Sequence, residues 1–340
     1  TNLVASNDAN GAARDVFLYD RFTDSLRRMS ETPAGINPTS ESTDPEIAAD
    51  GGFVIFSSFA STLVPGDGNG SRDVFIKNVQ TGAIDIASRG NGGEPGNRDS
   101  GGIFGSSVSA DGRFVAFSSR STNLAGVPFG AAHLYVYDLV ARTVKLLSRT
   151  PAGVPANAAA TGAKISDDGR RIAFVSGATD LVTPDINATN DFFVADRITG
   201  VVERVSVSSS GQPGGANNVG LDLAVSGDGT AVAYESSAPN LVANDANGFT
   251  ADVFVRAVQS SEGLNQDGDA NDAVLSVYDP FTGDIRLGYR LAVSKVSADG
   301  TEAGILLSEA GDGTDYNDDG DTEDEIAALN MVLGAAYGGV

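Results

Sequence analysis

An all-β repeat architecture is predicted by three features of the 340-residue sequence: a recurring Asp-Gly dipeptide, apolar runs of period two on either side of it, and no helical 3.6-residue period. The dipeptides are Asp50-Gly51, Asp111-Gly112, Asp168-Gly169, Asp228-Gly229 and Asp299-Gly300, spaced 61, 57, 60 and 71 residues apart. Asp-Gly between two alternating runs signals a hairpin, because the turn needs positive φ at its centre.

Each repeat then reads in one order. A strand enters the Asp-Gly turn, and a second strand leaves it, as in the runs from Arg113 to Ser119 and from Arg171 to Ser176. An Asp-x-Asn loop follows. The third strand carries an aromatic at constant phase, Phe17, Phe75, Tyr135, Phe193 or Phe254, which marks a buried face. A short turn (Thr81-Gly82, Thr199-Gly200, Thr282-Gly283) leads into a fourth strand such as the run from Glu203 to Val207. Polar links rich in Gly, Pro and Asn join the repeats, among them Gly93-Glu94-Pro95-Gly96-Asn97 and Gly153-Val154-Pro155-Ala156-Asn157, and read as loops.

Four antiparallel strands per unit predict the blades of a β-propeller. Five Asp-Gly hairpins and a first unit without its opening strands give six blades in one domain over 1–340, with seven blades or an incomplete ring as alternatives. Thr1-Asn2-Leu3-Val4 matches the interior of later repeats, so the chain starts partway through one. Irregular acidic insertions are expected at about 260–273 and 311–325.

The order strand, Asp-Gly, Arg113-Phe114-Val115-Ala116-Phe117-Ser118-Ser119, loop, Asp252-Val253-Phe254-Val255, Thr-Gly, strand is similar to the TolB-like (WD40-like) propeller repeat of secreted and periplasmic bacterial proteins. The resemblance covers nearly the whole chain and implies a propeller with an extracellular or periplasmic location. The family's usual Pro before Asp-Gly is here Ala49, Ala110, Asp167, Gly227 or Ala298.

The loops carry the candidate chemistry. Asp8/Asn10/Asp15, Asp67/Asn69/Asp73, Asp185/Asn187/Asp191 and Asp245/Asn247/Asp252 repeat one pattern, with the second Asp six or seven residues after the first. Two side-chain oxygens two residues apart, closed by a later Asp at the strand start, suit Ca²⁺, with carbonyls and water completing the shell. The competing reading is that these are Asx-turns and strand caps. The third unit is an internal control: its loop from Asn123 to Gly130 has no acid, and His133 stands where the closing Asp belongs, so no calcium is expected there. Two further segments read N-x-D-G-D-x-x-D: Asn265, Asp267, Asp269 and Asp272, then Asn317, Asp319, Asp321 and Asp324. They are read as calcium loops unlike EF-hands, because no Glu stands at the twelfth position and no helix flanks them.

Net charge and missing motifs narrow the function. The formal charge is -23, which argues against nucleic acid as the main partner. No stretch approaches 18 consecutive apolar residues, so no membrane insertion is expected. There is no cysteine and a single histidine, which excludes thiolate or polyhistidine metal sites. No G-x-S-x-G elbow, P-loop or H-E-x-x-H motif occurs. The sequons at Asn69 and Asn187 coincide with expected calcium ligands and are read as chance. The expected function is a secreted, calcium-stabilised module that binds protein or glycan on its long-loop face. The rivals are a hydrolase or lyase acting on polysaccharide, and a structural subunit of an extracellular layer or fibre.

Overall fold

Period-two patterning becomes paired strands on both sides of each Asp-Gly turn. A computed structural model describes residues 10–258 apart from 12, 39, 128–130, 184–186, 188, 209, 216–221 and 243–249, and beyond these the backbone of four strands. The chain divides into two compact units, 1–258 and 259–340.

In the first unit β1 (Phe17–Asp20) and β2 (Ser25–Arg28) form a hairpin. The next sheet holds β3 (Ser42–Ile47), β4 (Phe53–Ser58), β5 (Asp73–Asn78) and β6 (Ile84–Ile86), each antiparallel to the one before. β7 (Ser106–Val108), β8 (Phe114–Ser119), β9 (His133–Asp138) and β10 (Thr143–Leu146) repeat it, as do β11 (Ala160–Ile165), β12 (Arg171–Ser176), β13 (Asp191–Asp196) and β14 (Val202–Arg204). β15 (Leu223–Val225), β16 (Ala231–Ser236) and β17 (Asp252–Ala257) supply three strands of another. The second unit is a four-stranded sheet of β18 (Val274–Tyr278), β19 (Ile285–Ala298), β20 (Glu302–Ser308) and β21 (Glu325–Val332). The all-β, four-stranded antiparallel architecture therefore stands. The expected insertions and the Asp299-Gly300 turn lie outside the described residues.

Successive sheets of the first unit meet through their first strands. Glu46 on β3 accepts from Ser107 Oγ at 2.7 Å and Val108 N at 3.0 Å on β7, and reaches Lys164 Nζ on β11 at 3.2 Å. First strands side by side with fourth strands outermost is how blades sit about a propeller axis. Backbone bonds join the turns as well: Asp50 N donates to Ala110 O (3.1 Å), Ala110 N to Asp167 O (3.0 Å) and Asp167 N to Gly227 O (2.8 Å). Ala110 and Asp167 occupy the place of the TolB-like proline, which has no N–H to give.

The Asp-Gly hairpins are longer than a two-residue turn. Ala48 N bonds Phe53 O at 2.9 Å and Gly51 N closes onto Ala48 O at 2.8 Å, so the glycine follows the turn instead of centring it, with φ of 73°. The Asp side chain is the reason, since it supplies its own bonds. Asp168 Oδ1 accepts from Ser166 Oγ (2.5 Å) and Arg170 N (2.9 Å), and Asp228 Oδ1 accepts likewise from Ser226 Oγ (2.6 Å) and Thr230 N (3.0 Å).

The third-strand aromatics form the core as expected. Phe75, Tyr135 and Phe193 are fully buried, and stack on Phe56, Phe117 and Phe174 at centroid distances of 5.6, 5.7 and 5.5 Å. Phe17 and Phe254 are half-buried. The links, expected as loops, fold back as small hairpins: Thr150 N bonds Val154 O and Gly153 N bonds Thr150 O, both at 2.8 Å. The link Asn is a clasp. Asn97 donates to Thr122 Oγ1 and accepts from Thr122 N, each at 2.9 Å, and Asn157 does the same with Thr179.

Candidate cation site

The closing Asp of each Asp-x-Asn loop sits at the start of the third strand, where a serine fifteen residues on holds it. Ser30, Ser88 and Ser206 Oγ donate to Asp15, Asp73 and Asp191 Oδ1 at 2.9, 2.6 and 2.7 Å. Each serine oxygen also accepts the next backbone N–H, from Val16, Val74 and Phe192. In the control unit Ser148 Oγ stands 3.4 Å from His133 Nδ1, and burial pushes the His133 imidazole down, so the acid is replaced by a neutral ring.

The Asn turns its nitrogen inward. Asn69 Nδ2 donates to Asp73 Oδ2 and to Gly96 O, both at 2.6 Å, while its Oδ1 takes Ser71 N at 2.7 Å. Asn187 repeats the pattern with Asp191, Gly214 O (2.6 Å) and Thr189 N (3.2 Å), and Asn10 Nδ2 donates to Asp15 Oδ1 at 3.2 Å. In this orientation Asn69 and Asn187 staple the loop to the link and spend the side-chain oxygen on an Asx-turn, whereas the buried Oδ1 of Asn10 has no hydrogen-bond partner.

What separates the copies is the residue paired across the sheet with the core aromatic. Register places Arg28 opposite Phe17, Ile86 opposite Phe75, Leu146 opposite Tyr135 and Arg204 opposite Phe193. Arg28 and Arg204 lie over those rings, each with its Cζ 5.7 Å from the centroid, and reach the closing Asp: Nε is 3.3 Å from Asp15 Oδ2 and 3.2 Å from Asp191 Oδ2. All four side chains are at most 5% exposed. A buried carboxylate thus has its countercharge in two copies.

Asp73 has none among the described residues. It is fully buried, with Ile86 where the arginine would be, and burial, helped by the charges of Asp67 and Asp99, pushes its carboxyl up to about 7. Asp67 is 7% exposed, its carboxyl is also pushed up by burial, and its buried Oδ1 has no hydrogen-bond partner. Two neighbouring buried carboxylates without a cation, one with an orphaned oxygen, are a costly arrangement unless a proton or a metal ion joins them. The set is small, since no group of three or more His, Cys, Asp or Glu side chains gathers among the described residues. Asp252 is half-buried at the start of β17. Asp8, Asp185, Asp245, Asn247, Asn265, Asp267, Asp269, Asp272, Asn317, Asp319, Asp321 and Asp324 lie outside the described residues.

Clefts between blades were not legible as sites. One of about 390 Å³ lies between the link after β10 and the outer strand β14, lined by Arg149, Pro151, Thr199, Gly200 and Val202 among others. A second, of about 540 Å³, occupies the equivalent place after β2, lined by Arg27, Pro33, Lys77, Thr81 and Gly82. Link and Thr-Gly turn meet in both, because the link folds back along the outer edge.

No family model and no curated protein sequence matches this chain. Among solved structures it is similar to TolB from Acinetobacter baumannii (13% identity, TM-score 0.39, 86% of this chain and 56% of that one). It is also similar to the tricorn protease (12%, 0.41, 86% and 27%) and to an oligogalacturonate lyase in complex with manganese (12%, 0.40, 86% and 68%). The chain thus spans 56% of the length of that TolB and 27% of the tricorn protease. Likeness at this level carries no argument about activity, and the fold rests on the sheets themselves.

Proposed function

We propose that this chain is a secreted β-propeller that uses calcium to hold a long loop and acts as a binding module for protein or glycan. The observation that supports the cation is the Asp67–Asp73 pair, buried and without the arginine that compensates Asp15 and Asp191. Asp67 and Asp73 would hold the ion, with carbonyls and water filling the six to eight oxygens that Ca²⁺ takes. Bound there, the ion neutralises both carboxylates and pins the loop that Asn69 staples to the link. Calcium outside cells is abundant enough to fill a modest site, which suits a secreted protein.

Binding is favoured over hydrolysis by the make-up of the clefts. Glycoside hydrolysis needs two carboxylates facing one bond, and neither the cleft after β10 nor the one after β2 offers a pair. No helix among the described residues is long and apolar enough to cross a membrane.

The test is thermal denaturation at pH 8 with EGTA and with calcium in excess. Calcium is expected to raise Tm by several degrees, about 3 kcal/mol at a hundred times Kd, with the Asp73→Asn variant losing most of the shift. A melt indifferent to chelation would leave the acidic loops as turns and nothing more.

A further inference from the structure

The blade edges carry an internal template for what the open clefts accept. Asn91, in the link after β6, lies against the outer strand β10 of the next blade. Its Oδ1 accepts from Val144 N at 2.8 Å and its Nδ2 donates to Val144 O at 3.3 Å. One side-chain amide thereby behaves as a peptide group added to the sheet edge. The equivalent link residue after β10 is Pro151, which can neither donate nor accept in this way, and there the cleft of about 390 Å³ remains.

The strand facing that cleft is ready to pair. Val201 O bonds Asp196 N and Val205 N bonds Phe192 O, both at 2.8 Å, so the odd-numbered residues face β13 and Val202 turns its N–H and C=O to the open edge. Charge adds a preference. Arg89 has Asp85 four residues before it, at 2.7 Å, whereas Arg149 has Lys145 in that position and no carboxylate partner among the described residues. Lys145 Nζ is tied to Arg197 O at 2.6 Å, and Arg149 lies over Gly200, where a Cβ would collide with the guanidinium. Arg149 is the one charged residue among those lining the cleft, and its guanidinium favours a carboxylate on the segment that enters.

We propose that the cleft between the Pro151 link and β14 captures an extended acidic segment of a partner protein, which pairs with Val202 as the Asn91 amide pairs with Val144 and sets a carboxylate against Arg149. This rests on the reading of the chain as a binding module and gives that reading a place and a class of partner.

The test uses a fluorescein-labelled peptide of alternating Glu and Val, eight residues long, followed by anisotropy and by hydrogen exchange at the Val202 amide. Wild type is expected to bind it with Val202 protected, and to prefer it to the Lys-Val analogue. Pro151→Asn, which supplies the Asn91-type amide, is expected to weaken binding about tenfold or more with Tm unchanged, and Arg149→Glu to erase the charge preference. Failure to bind at about 1 mM, equal binding by a backbone N-methylated peptide, or an unprotected Val202 overturns the proposal. An oligogalacturonate bound equally well by wild type and Pro151→Asn also overturns it, in favour of a glycan elsewhere. The calcium shift in Tm is read independently, so its survival beside failed peptide binding removes the slot alone.

Discussion

Ile86 decides the character of the site more than any acid does. Sheet register puts it where Arg28 and Arg204 sit in sister blades, so Asp73 keeps its place without its countercharge. Replacing Ile86→Arg is therefore expected to abolish the calcium response and to raise Tm in EGTA toward the calcium-loaded value, measured by the same melts. Proton linkage gives a second prediction. The folded Asp73 carboxyl, at about 7, lies above the ordinary value of 3.8, so the folded state holds a proton that the unfolded state has lost between those values. Stability without calcium should thus fall as pH rises from about 4 to about 7 and level off above. Calcium should flatten the dependence in that window, and Asp73→Asn should flatten it without calcium. The Asp-x-Asn pattern was legible as a calcium loop or, on the competing reading, an Asx-turn, with its acid at the strand start, and the acid-free third unit was legible as an exception. The arginine was not, because it lies thirteen residues away on another strand and only pairing brings it to the Asp.

The turn glycines are not equal. Gly51, Gly112 and Gly169 share a φ near 72°, but space is open around Gly51, whereas a Cβ at Gly112 or Gly169 would run into the ring of Phe53 or Phe114 on the preceding blade. Gly51→Ala should cost about 1 kcal/mol through the backbone alone. Gly169→Ala should cost about 2 kcal/mol more, by chemical denaturation, since it also displaces a packed ring. The dipeptide signals this element because Asp and Gly are both required, although their roles differ from those in a two-residue hairpin. The link hairpins carry a weaker signal: Gly35, Gly93, Gly153 and Gly211 all adopt positive φ, but the residues between them vary too much to read as strands.

Over the whole molecule, period-two alternation made the four-stranded antiparallel sheets legible, since each strand buries one face against its own blade. Blade number has no such local signature, because closing a ring depends on how its first and last sheets meet. The same scale governs charge. With -23 spread over 340 residues, self-repulsion opposes the folded state, and Tm in EGTA is expected to rise by a few degrees between low salt and about 0.5 M NaCl. Calcium-loaded protein should respond less. The relay of backbone bonds from Asp50 to Ala110, Asp167 and Gly227 bears on the mode of failure. A repeat chain whose units touch only by side chains can lose them one at a time. Here peptide groups of consecutive innermost turns are linked directly, so a strained blade pulls on its neighbour's main chain. The blades of the first unit should yield together, as one mechanical body, instead of peeling apart in sequence.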